Sequence, residues 1–191
     1  MRSGIVSRQT NETDIKLELC LDGGAVEIST GIGFFDHMLT ALAVHAGFGL
    51  QLSCKGDLQV DGHHTVEDIG IALGTAFAKA TADKAGITRY GSAFVPMDEA
   101  LGFACVDISN RPYLVFDANF PQASCGTFDT CLAVEFMRAF AYNARITLHV
   151  KCEYGQNAHH MLEAMFKAVA HALKTAVTVR GDAVLSTKGV L

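Results

Sequence analysis

The chain has 191 residues, half of them hydrophobic and 18% charged, and its formal net charge is −5. This composition excludes a disordered chain and allows one compact domain or two small intertwined ones. The acidic balance argues against a nucleic-acid partner. Neither a membrane span nor secretion is expected, because the sequence has no long apolar run and no hydrophobic N-terminus. We therefore expect a cytoplasmic protein.

The first half predicts strands followed by a helix, a strand and a second helix. Its β-rich stretches come first, at 4–10, 13–21 and 24–30. A helical pattern follows from Gly33 to about His45, and the alternating run over 48–54 predicts a strand. A long helix is then predicted from His63 to about Lys84.

The second half repeats this order. Its β-rich stretches lie at 93–95, 101–109 and 112–116. A helix is predicted over 128–143, with Asp129 or Thr130 as its N-cap. A strand over 146–152 and a helix over 159–177 follow.

Two adjacent histidines followed three positions later by a glutamate occur once in each half, as HHTVE at 63–67 and HHMLE at 159–163. Alanine also recurs at every fourth position along both of the helices that these motifs begin. An internal duplication explains both features, with a boundary between 1–88 and 89–191. We expect an α+β fold in which two sheets flank a shared helical layer.

The duplicated motif predicts metal binding. At about 100° per residue, Glu67 falls between His63 and His64 on a helix face distinct from the apolar stripe, and the second helix repeats this arrangement. Imidazole and carboxylate together suit Mn, Fe, Zn or similar divalent ions. The side chains of two adjacent histidines on a helix point apart, so they do not both bind one ion. We therefore expect two ions. Their remaining ligands would come from the other half or from a neighbouring subunit of an obligate homo-oligomer.

Two further residues are candidates for completing these metal shells. His37 lies early in the helix predicted at 33–45, and Glu135 occupies the corresponding position in the helix predicted at 128–143. A histidine and a glutamate at equivalent positions would give two pseudo-equivalent ligand sets.

Several basic residues are candidates for binding an anionic substrate group. Arg89 lies between a helix and a strand, Arg111 lies in a turn, and Lys188 lies in the C-terminal segment. Arginine offers a bidentate fork to phosphate, and lysine a point charge. Lys167 falls beside the metal face of its helix. No Walker loop or dinucleotide fingerprint is present, so no nucleotide cofactor is expected.

Together these motifs resemble a known enzyme family over essentially the whole chain. The segments that carry the resemblance are GFFDHML at 33–39, DGHHTVED at 61–68, RYG at 89–91, PMDEAL at 96–101, HHMLEA at 159–164 and STKGVL at 186–191. In this order they are similar to imidazoleglycerol-phosphate dehydratases of histidine biosynthesis.

The resemblance implies an assembly of 24 subunits and two Mn(II) ions in each active site, with the metal sites formed between subunits. If the source is a plant, it also implies a plastid location. The implied metal ligands are His37, His63, His64, Glu67, Glu135, His159, His160 and Glu163, although many members carry histidine where Glu135 stands. The implied substrate-binding residues are Glu12, Arg89, Arg111, Lys167, Ser186 and Lys188.

The implied reaction converts imidazole glycerol phosphate to imidazole acetol phosphate. The substrate has no carbonyl beside the C–H bond that breaks, so its ring acts as the electron sink. Bound between two cations, the ring becomes imidazolate and expels the hydroxyl group. The resulting diazafulvene loses the next proton and gives an enol, which becomes the ketone. We expect Glu163 or Glu12 to carry the protons.

Two other functions are compatible with a cluster of histidines and glutamates. A non-catalytic metal-storage or metal-sensing oligomer explains the ligands but not Arg89, Arg111 and Lys188. A metallohydrolase explains the metal but needs water as a substrate rather than as a leaving group. An assay with imidazole glycerol phosphate separates these alternatives.

Overall fold

Two four-stranded β-sheets enclose four α-helices in a computed structural model, which describes residues 1–189 and 191; Val190, part of the C-terminal motif, lies outside the described residues. The first half contains β1 Ser3–Gln9, β2 Thr13–Cys20, β3 Val26–Ser29, α1 Gly33–Ala46, β4 Gly49–Gly56 and α2 His63–Ala80. The second contains β5 Tyr90–Met97, β6 Ala100–Asp107, β7 Tyr113–Asp117, β8 Ser124–Cys125, β9 Phe128–Asp129, α3 Leu132–Ala144, β10 Thr147–Tyr154 and α4 Ala158–Val177. Within these residues, no helix has the length and apolar character required to cross a membrane.

Both sheets have the same topology. Their strand orders are β1-β2-β4-β3 and β5-β6-β10-β7, and each sheet ends in one parallel pair. Helices α1 and α2 pack on the first sheet, and α3 and α4 on the second. Between the sheets, α1 contacts α4 and α2 contacts α3. The expected duplicated α+β fold, with helices between two sheets, is confirmed.

Apolar alternation and small residues explain how these layers meet. On β2, Ile15, Leu17 and Leu19 are at most 3% exposed, while the residues between them face outward. Along α2, glycine lets α3 approach closely, since a Cβ on Gly74 would lie only 2.6 Å from the carbonyl oxygen of Phe140. The layers thus bury a continuous apolar core.

The four helices begin at the same end of the molecule. The ring of Phe34, at the start of α1, lies 5.6 Å from that of Phe128 just before α3 and 5.0 Å from that of His159 on α4. Gly62, the N-cap of α2, lies beside the side chains of Ile32 and Leu132. Both copies of the histidine motif are therefore presented at one end of the helical layer.

Two predicted helix boundaries are wrong. The helix predicted over 128–143 begins only at Leu132, because Phe128 and Asp129 pair with β8 in a short hairpin. Neither Asp129 nor Thr130 is its N-cap; Cys131 is, and the Thr130 hydroxyl donates to carbonyl oxygens at Gln122 and Ala123.

The second wrong boundary is the end of α2, which was expected at about Lys84. The helix ends at Ala80. The hydroxyl of Thr81, its C-cap residue, donates to the carbonyl oxygen of Phe77 at 2.8 Å. This side-chain bond occupies a carbonyl at the end of the helix.

Candidate active site

Three ligand atoms from α1 and α4 converge at the end of the molecule where the helices begin. Ligand atoms of His37, His159 and Glu163 all lie within 4.8 Å of one another. Oε2 of Glu163 lies 3.3 Å from Nε2 of His37 and 3.3 Å from Nε2 of His159. Both histidines are about half-exposed, whereas the Glu163 side chain is buried. We call these three residues the α1–α4 cluster.

The Glu163 carboxylate is ionised in this cluster. Burial favours the neutral acid, but hydrogen bonds from Lys167 and His37 outweigh it and hold the pKa of Glu163 below its ordinary value. Nζ of Lys167 lies 2.6 Å from Oε1 of Glu163, which agrees with its expected place beside the metal face. Two imidazoles and an ionised carboxylate form a donor set suited to a divalent cation.

The equivalent residues of the other half are less closely assembled. On α2, Nε2 of His63 lies 3.9 Å from Oε2 of Glu67, which repeats the pairing of His159 with Glu163. Glu135, the counterpart of His37, instead forms an ion pair with Arg138 one turn along α3. Among the described residues, only the α1–α4 cluster has three candidate ligand atoms that all lie within 4.8 Å of one another.

The second histidine of the first motif is held by carboxylates from outside its helix. Nδ1 of His64 lies 3.0 Å from Oδ2 of Asp57, and Nε2 of His64 lies 3.7 Å from Oε1 of Glu12. The hydrogen bond with Asp57 raises the pKa of His64. Glu12 therefore lies beside a motif histidine.

The second motif shows the same contacts with different residues. Nδ1 of His160 lies 2.7 Å from Oε2 of Glu99, and Nε2 of His160 lies 3.8 Å from Oδ2 of Asp98. The other oxygen of Glu99 accepts backbone N–H groups of Gln156 and Asn157 at 3.0 and 2.8 Å. The bond from His160, with these two, lowers the pKa of Glu99 to about 2.

The sequence prediction missed Asp57, Asp98 and Glu99 as site residues. Asp98 and Glu99 lie within the PMDEAL motif, and Asp57 lies in the polar turn before α2. The available signal was that a carboxylate is the usual partner for the second nitrogen of a metal-binding histidine. Its position in the chain depends on the sheet topology, so spacing alone did not reveal it.

Four of the predicted substrate-binding residues line one open pocket of about 870 Å³, which we call the anion pocket. These four are Arg89, Arg111, Ser186 and Lys188. Asp107 lies between the two arginines, 2.7 Å from Nε of Arg89 and 3.2 Å from Nη2 of Arg111. Arg89 is buried, and its hydrogen bond to Asp107 raises its pKa; Arg111 is 64% exposed.

One buried hydroxyl of the anion pocket has no partner. Ser109 is only 4% exposed, and its Oγ has no hydrogen-bond partner among the described residues. A buried polar group without a partner is costly, so it marks a place where a ligand or water is accommodated. Together with Arg111 and Lys188, this hydroxyl gives the pocket a donor set that fits an anion.

The anion pocket and the α1–α4 cluster lie at opposite ends of α4. The backbone N–H of Arg89 donates to the carbonyl oxygen of Ala176 in the last turn of that helix, whereas Glu163 lies near its start. A rise of about 1.5 Å per residue separates these positions by roughly 20 Å. A small substrate therefore does not reach both sites of one chain.

The family assignment rests on the greater part of the chain. A family model described as imidazoleglycerol-phosphate dehydratase matches residues 30–173. The chain belongs to the imidazoleglycerol-phosphate dehydratase family. The imidazoleglycerol-phosphate dehydratase of Gluconobacter oxydans is 58% identical over 194 residues, which cover 100% of this chain and 98% of that protein. That of Clostridium botulinum is 57% identical over 189 residues, which cover 97% and 96%.

Solved structures of the dehydratase family share the fold. The crystal structure of imidazoleglycerol-phosphate dehydratase from Staphylococcus aureus matches with a TM-score of 0.86 and 40% identity, covering 93% of this chain and 99% of that one. That of Pyrococcus furiosus, in complex with (S)-C348, matches with a TM-score of 0.86 and 43% identity, covering 97% and 100%. The expected family and enzyme class, a dehydratase and hydro-lyase of histidine biosynthesis, are confirmed.

Proposed function

We propose that this enzyme dehydrates imidazole glycerol phosphate to imidazole acetol phosphate with two Mn(II) ions, at active sites shared between subunits of a homo-oligomer. The α1–α4 cluster is the observation that carries this proposal. It offers two imidazoles and one ionised carboxylate at the exposed start of two helices, and such mixed donors suit Mn(II) among the divalent ions. His63, His64, Glu67 and His160 supply further ligands at the same end of the molecule.

Glu135 remains a ligand in this proposal. Its ion pair with Arg138 lies on an exposed helix face, where such pairs contribute little to stability and exchange readily. The carboxylate is therefore free to leave Arg138 when a cation offers stronger coordination. A carboxylate in place of the histidine that many family members carry keeps the ligand count and adds negative charge.

The anion pocket supports a phosphorylated substrate. Arg111 is exposed and uses only one of its donors on Asp107, so its guanidinium retains several donors for phosphate oxygens. Lys188 and Ser186 lie in the same pocket, with the unpartnered hydroxyl of Ser109. Arg89 adds positive charge to the pocket and shapes its wall rather than binding phosphate directly, because its donors already hold Asp107 and the carbonyl oxygen of Leu185.

The separation of pocket and cluster supports an oligomer. Because they lie at opposite ends of α4, one subunit's anion pocket must serve the metal ligands of another. A symmetric arrangement that repeats this contact between subunits gives a closed assembly. We propose that this assembly has 24 subunits, the number that the family resemblance implies. Lys167, on the metal face of α4, would approach the phosphate from the cluster side.

The residues of the chain divide the chemistry among them. When bound, the two cations make the substrate ring acidic and polarise the leaving hydroxyl group. The histidines and Glu67 orient the ring, and the anion pocket holds the phosphate so that the three-carbon chain is fixed between them. Loss of the hydroxyl group and of a proton from the next carbon, which together make one water, gives an enol, and the enol tautomerises to the ketone.

Glu12 is better suited than Glu163 to carry protons. Glu163 is buried and is contacted by His37, His159 and Lys167, which suits a metal ligand. The side chain of Glu12 is 51% exposed, and its Oε1 lies 3.7 Å from Nε2 of His64. A carboxylate beside the ligand shell but not committed to it is able to accept the C–H proton and return it.

The deciding experiment is an assay with imidazole glycerol phosphate and Mn(II), in which imidazole acetol phosphate is followed. Wild-type protein should form the ketone, whereas Glu12→Gln should bind Mn(II) normally and lose turnover by at least about 100-fold. A storage or sensing protein would bind metal without turnover, and a hydrolase would release inorganic phosphate. Absence of the ketone with each of several divalent metals would refute the proposal.

A further inference from the structure

Glu12 and Glu99 occupy equivalent positions in the two halves. Glu12 directly precedes β2, and Glu99 directly precedes β6, the corresponding strand of the other sheet. The pairing of neighbouring strands gives the same alignment of the two halves. Gly4 of β1 pairs with Leu19 of β2, and Gly91 of β5 pairs with Val106 of β6. The duplication therefore places one glutamate beside each motif histidine.

The two glutamates nevertheless contact different atoms of their histidines. Oε2 of Glu99 lies 2.7 Å from Nδ1 of His160. Glu12 instead lies 3.7 Å from Nε2 of His64, because Asp57 already occupies Nδ1 of that ring at 3.0 Å.

The turns before α2 and α4 explain this difference. The residue directly after β4 is Asp57, whereas the residue directly after β10 is Gly155, which has no side chain. Because the second half has no carboxylate in that turn, the position beside Nδ1 of its histidine is occupied by Glu99, from the turn between β5 and β6. The first half has a local carboxylate, so its glutamate is not needed there.

A carboxylate at Nδ1 determines which ring nitrogen is free. An ionised carboxylate only accepts hydrogen bonds, so Nδ1 must carry the proton and donate it. The neutral ring then presents an unprotonated Nε2, which is the form that ligates a metal ion. Outer carboxylates of this kind fix both the tautomer and the ring orientation.

We propose that Asp57 and Glu99 are positioning residues that hold Nδ1 of His64 and His160, so that Nε2 of each ring faces the metal. Because Asp57 takes this role in the first half, Glu12 stays free for proton transfer, and the two halves are specialised although they arose by duplication. This inference rests on the proposed function, since it assigns Nε2 to a metal ion.

Glu99 also allows its positioning role to be separated from a structural one. One carboxylate oxygen accepts backbone N–H groups of Gln156 and Asn157, and the other accepts Nδ1–H of His160. In Glu99→Gln the amide oxygen still serves the backbone, while the NH₂ group faces Nδ1 and cannot accept from it. That variant therefore favours the tautomer with Nε2 protonated, which does not bind metal.

The test measures Mn(II) binding by the decrease of the EPR signal of hydrated Mn(II), in full-length Glu99→Gln, Asp57→Ala and the wild type. We expect each variant to bind Mn(II) about 10–100-fold more weakly, with the unfolding temperature of the metal-free protein unchanged. Glu153→Gln is the matched control, because it removes one exposed carboxylate at the end of β10 and should keep wild-type affinity.

Each outcome decides one question. Wild-type protein that binds no Mn(II) refutes the proposed function itself. Wild-type binding with unchanged affinity in either variant refutes the positioning role of the residue replaced, as does an equal loss in Glu153→Gln. If Glu99→Gln does not fold, Asp57→Ala, which removes the acceptor altogether, tests the same geometry independently in the other half.

Discussion

Nε2 of His37 on α1 lies 3.3 Å from Oε2 of Glu163 on α4, although 126 positions separate the two residues in the chain. The contact exists because both helices begin at the same end of the molecule, with the Phe34 ring against that of His159. A histidine from the first half thus completes the motif of the second. The candidate ligands of the α1–α4 cluster therefore come from both halves of one chain.

Replacing His37 tests this sharing. In His37→Asn the cluster loses one of its three donors, and we expect Mn(II) affinity at one site to fall by about 10-fold or more. Equilibrium dialysis with metal analysis of the retained protein measures the loss. His149→Asn, which removes a histidine from β10, is the control and should retain its metal. Equal metal content in both variants and the wild type would show that His37 is not a ligand.

Subunit complementation tests the division of the active site between chains. We expect His37→Asn, which has a damaged cluster, and the double variant Arg111→Ala/Lys188→Ala, which has a damaged anion pocket, to be inactive separately. Co-expressed in one assembly, they should recover about one quarter of wild-type activity, the random-mixing expectation for a site built from two chains. Activity no higher than the sum of the separate variants would place both parts of the site in one chain.

The sequence predicted the duplicated fold and the start of each motif helix because those features are local. Apolar periodicity and the repeated HHxxE pattern both act over a few residues. The hairpin formed by β8 and β9 was missed because its stabilising bond, from the Thr130 hydroxyl to Gln122, involves a residue outside the helical pattern. The partner of His160 was missed because Glu99 lies 61 positions away, on a turn that only the sheet topology brings near.

The position of the anion pocket relative to the α1–α4 cluster is also not predictable from the sequence. Arg89, Arg111 and Lys188 were recognised singly from the sequence, and the structure places them in one pocket. Their distance from the α1–α4 cluster follows from the direction of α4 and from the place where β5 begins beside its last turn. No pattern of residue types encodes that distance, so only the fold shows that the pocket and the cluster of one chain lie too far apart for one small substrate to contact both.

The two arginines of the anion pocket should differ in their effects. Arg111→Ala should raise KM for the substrate by about 10-fold or more, because a charge-assisted phosphate contact is lost, while stability changes by less than about 0.5 kcal/mol. Arg89→Ala should destabilise the protein by about 3 kcal/mol, because it breaks a buried ion pair with Asp107. Steady-state kinetics and thermal unfolding separate the two effects. Similar unfolding temperatures for both variants would contradict this assignment.

Close packing between α2 and α3 makes Gly74 sensitive to enlargement. A Cβ at this position would lie 2.6 Å from the Phe140 carbonyl oxygen and 2.8 Å from the Ala144 nitrogen, so backbone must move. Overpacking of this kind costs about 1–3 kcal/mol, which exceeds the roughly 1 kcal/mol that alanine gains in helix propensity. Gly74→Ala should therefore lower the unfolding temperature. Gly33→Ala, which meets no described atom within 4 Å, is the control, and an equal effect of both would exclude packing as the cause.

Arg2 connects the two halves, and its partner Asp22 should make this connection dependent on pH. The Asp22 carboxylate accepts from the side chain of Arg2 at 2.6 and 3.0 Å, and Nη1 of Arg2 donates to the carbonyl oxygen of Val177, the last residue of α4. The hydrogen bonds from the Arg2 side chain, and then from its backbone N–H, lower the pKa of Asp22.

A pKa that is lower in the folded than in the unfolded protein means that the Asp22 carboxylate stabilises the fold at neutral pH. This contribution is present above the unfolded pKa of about 4 and is lost as the pH falls through the lower, folded value. Asp22→Asn should thus lower the unfolding temperature at pH 7 by an amount equivalent to no more than about 1 kcal/mol. The difference from wild type should shrink as the pH is lowered below about 4. Glu18→Gln, which removes an exposed charge on β2, should show no such pH-dependent difference, and a constant difference for Asp22→Asn at all pH values would contradict the ion pair.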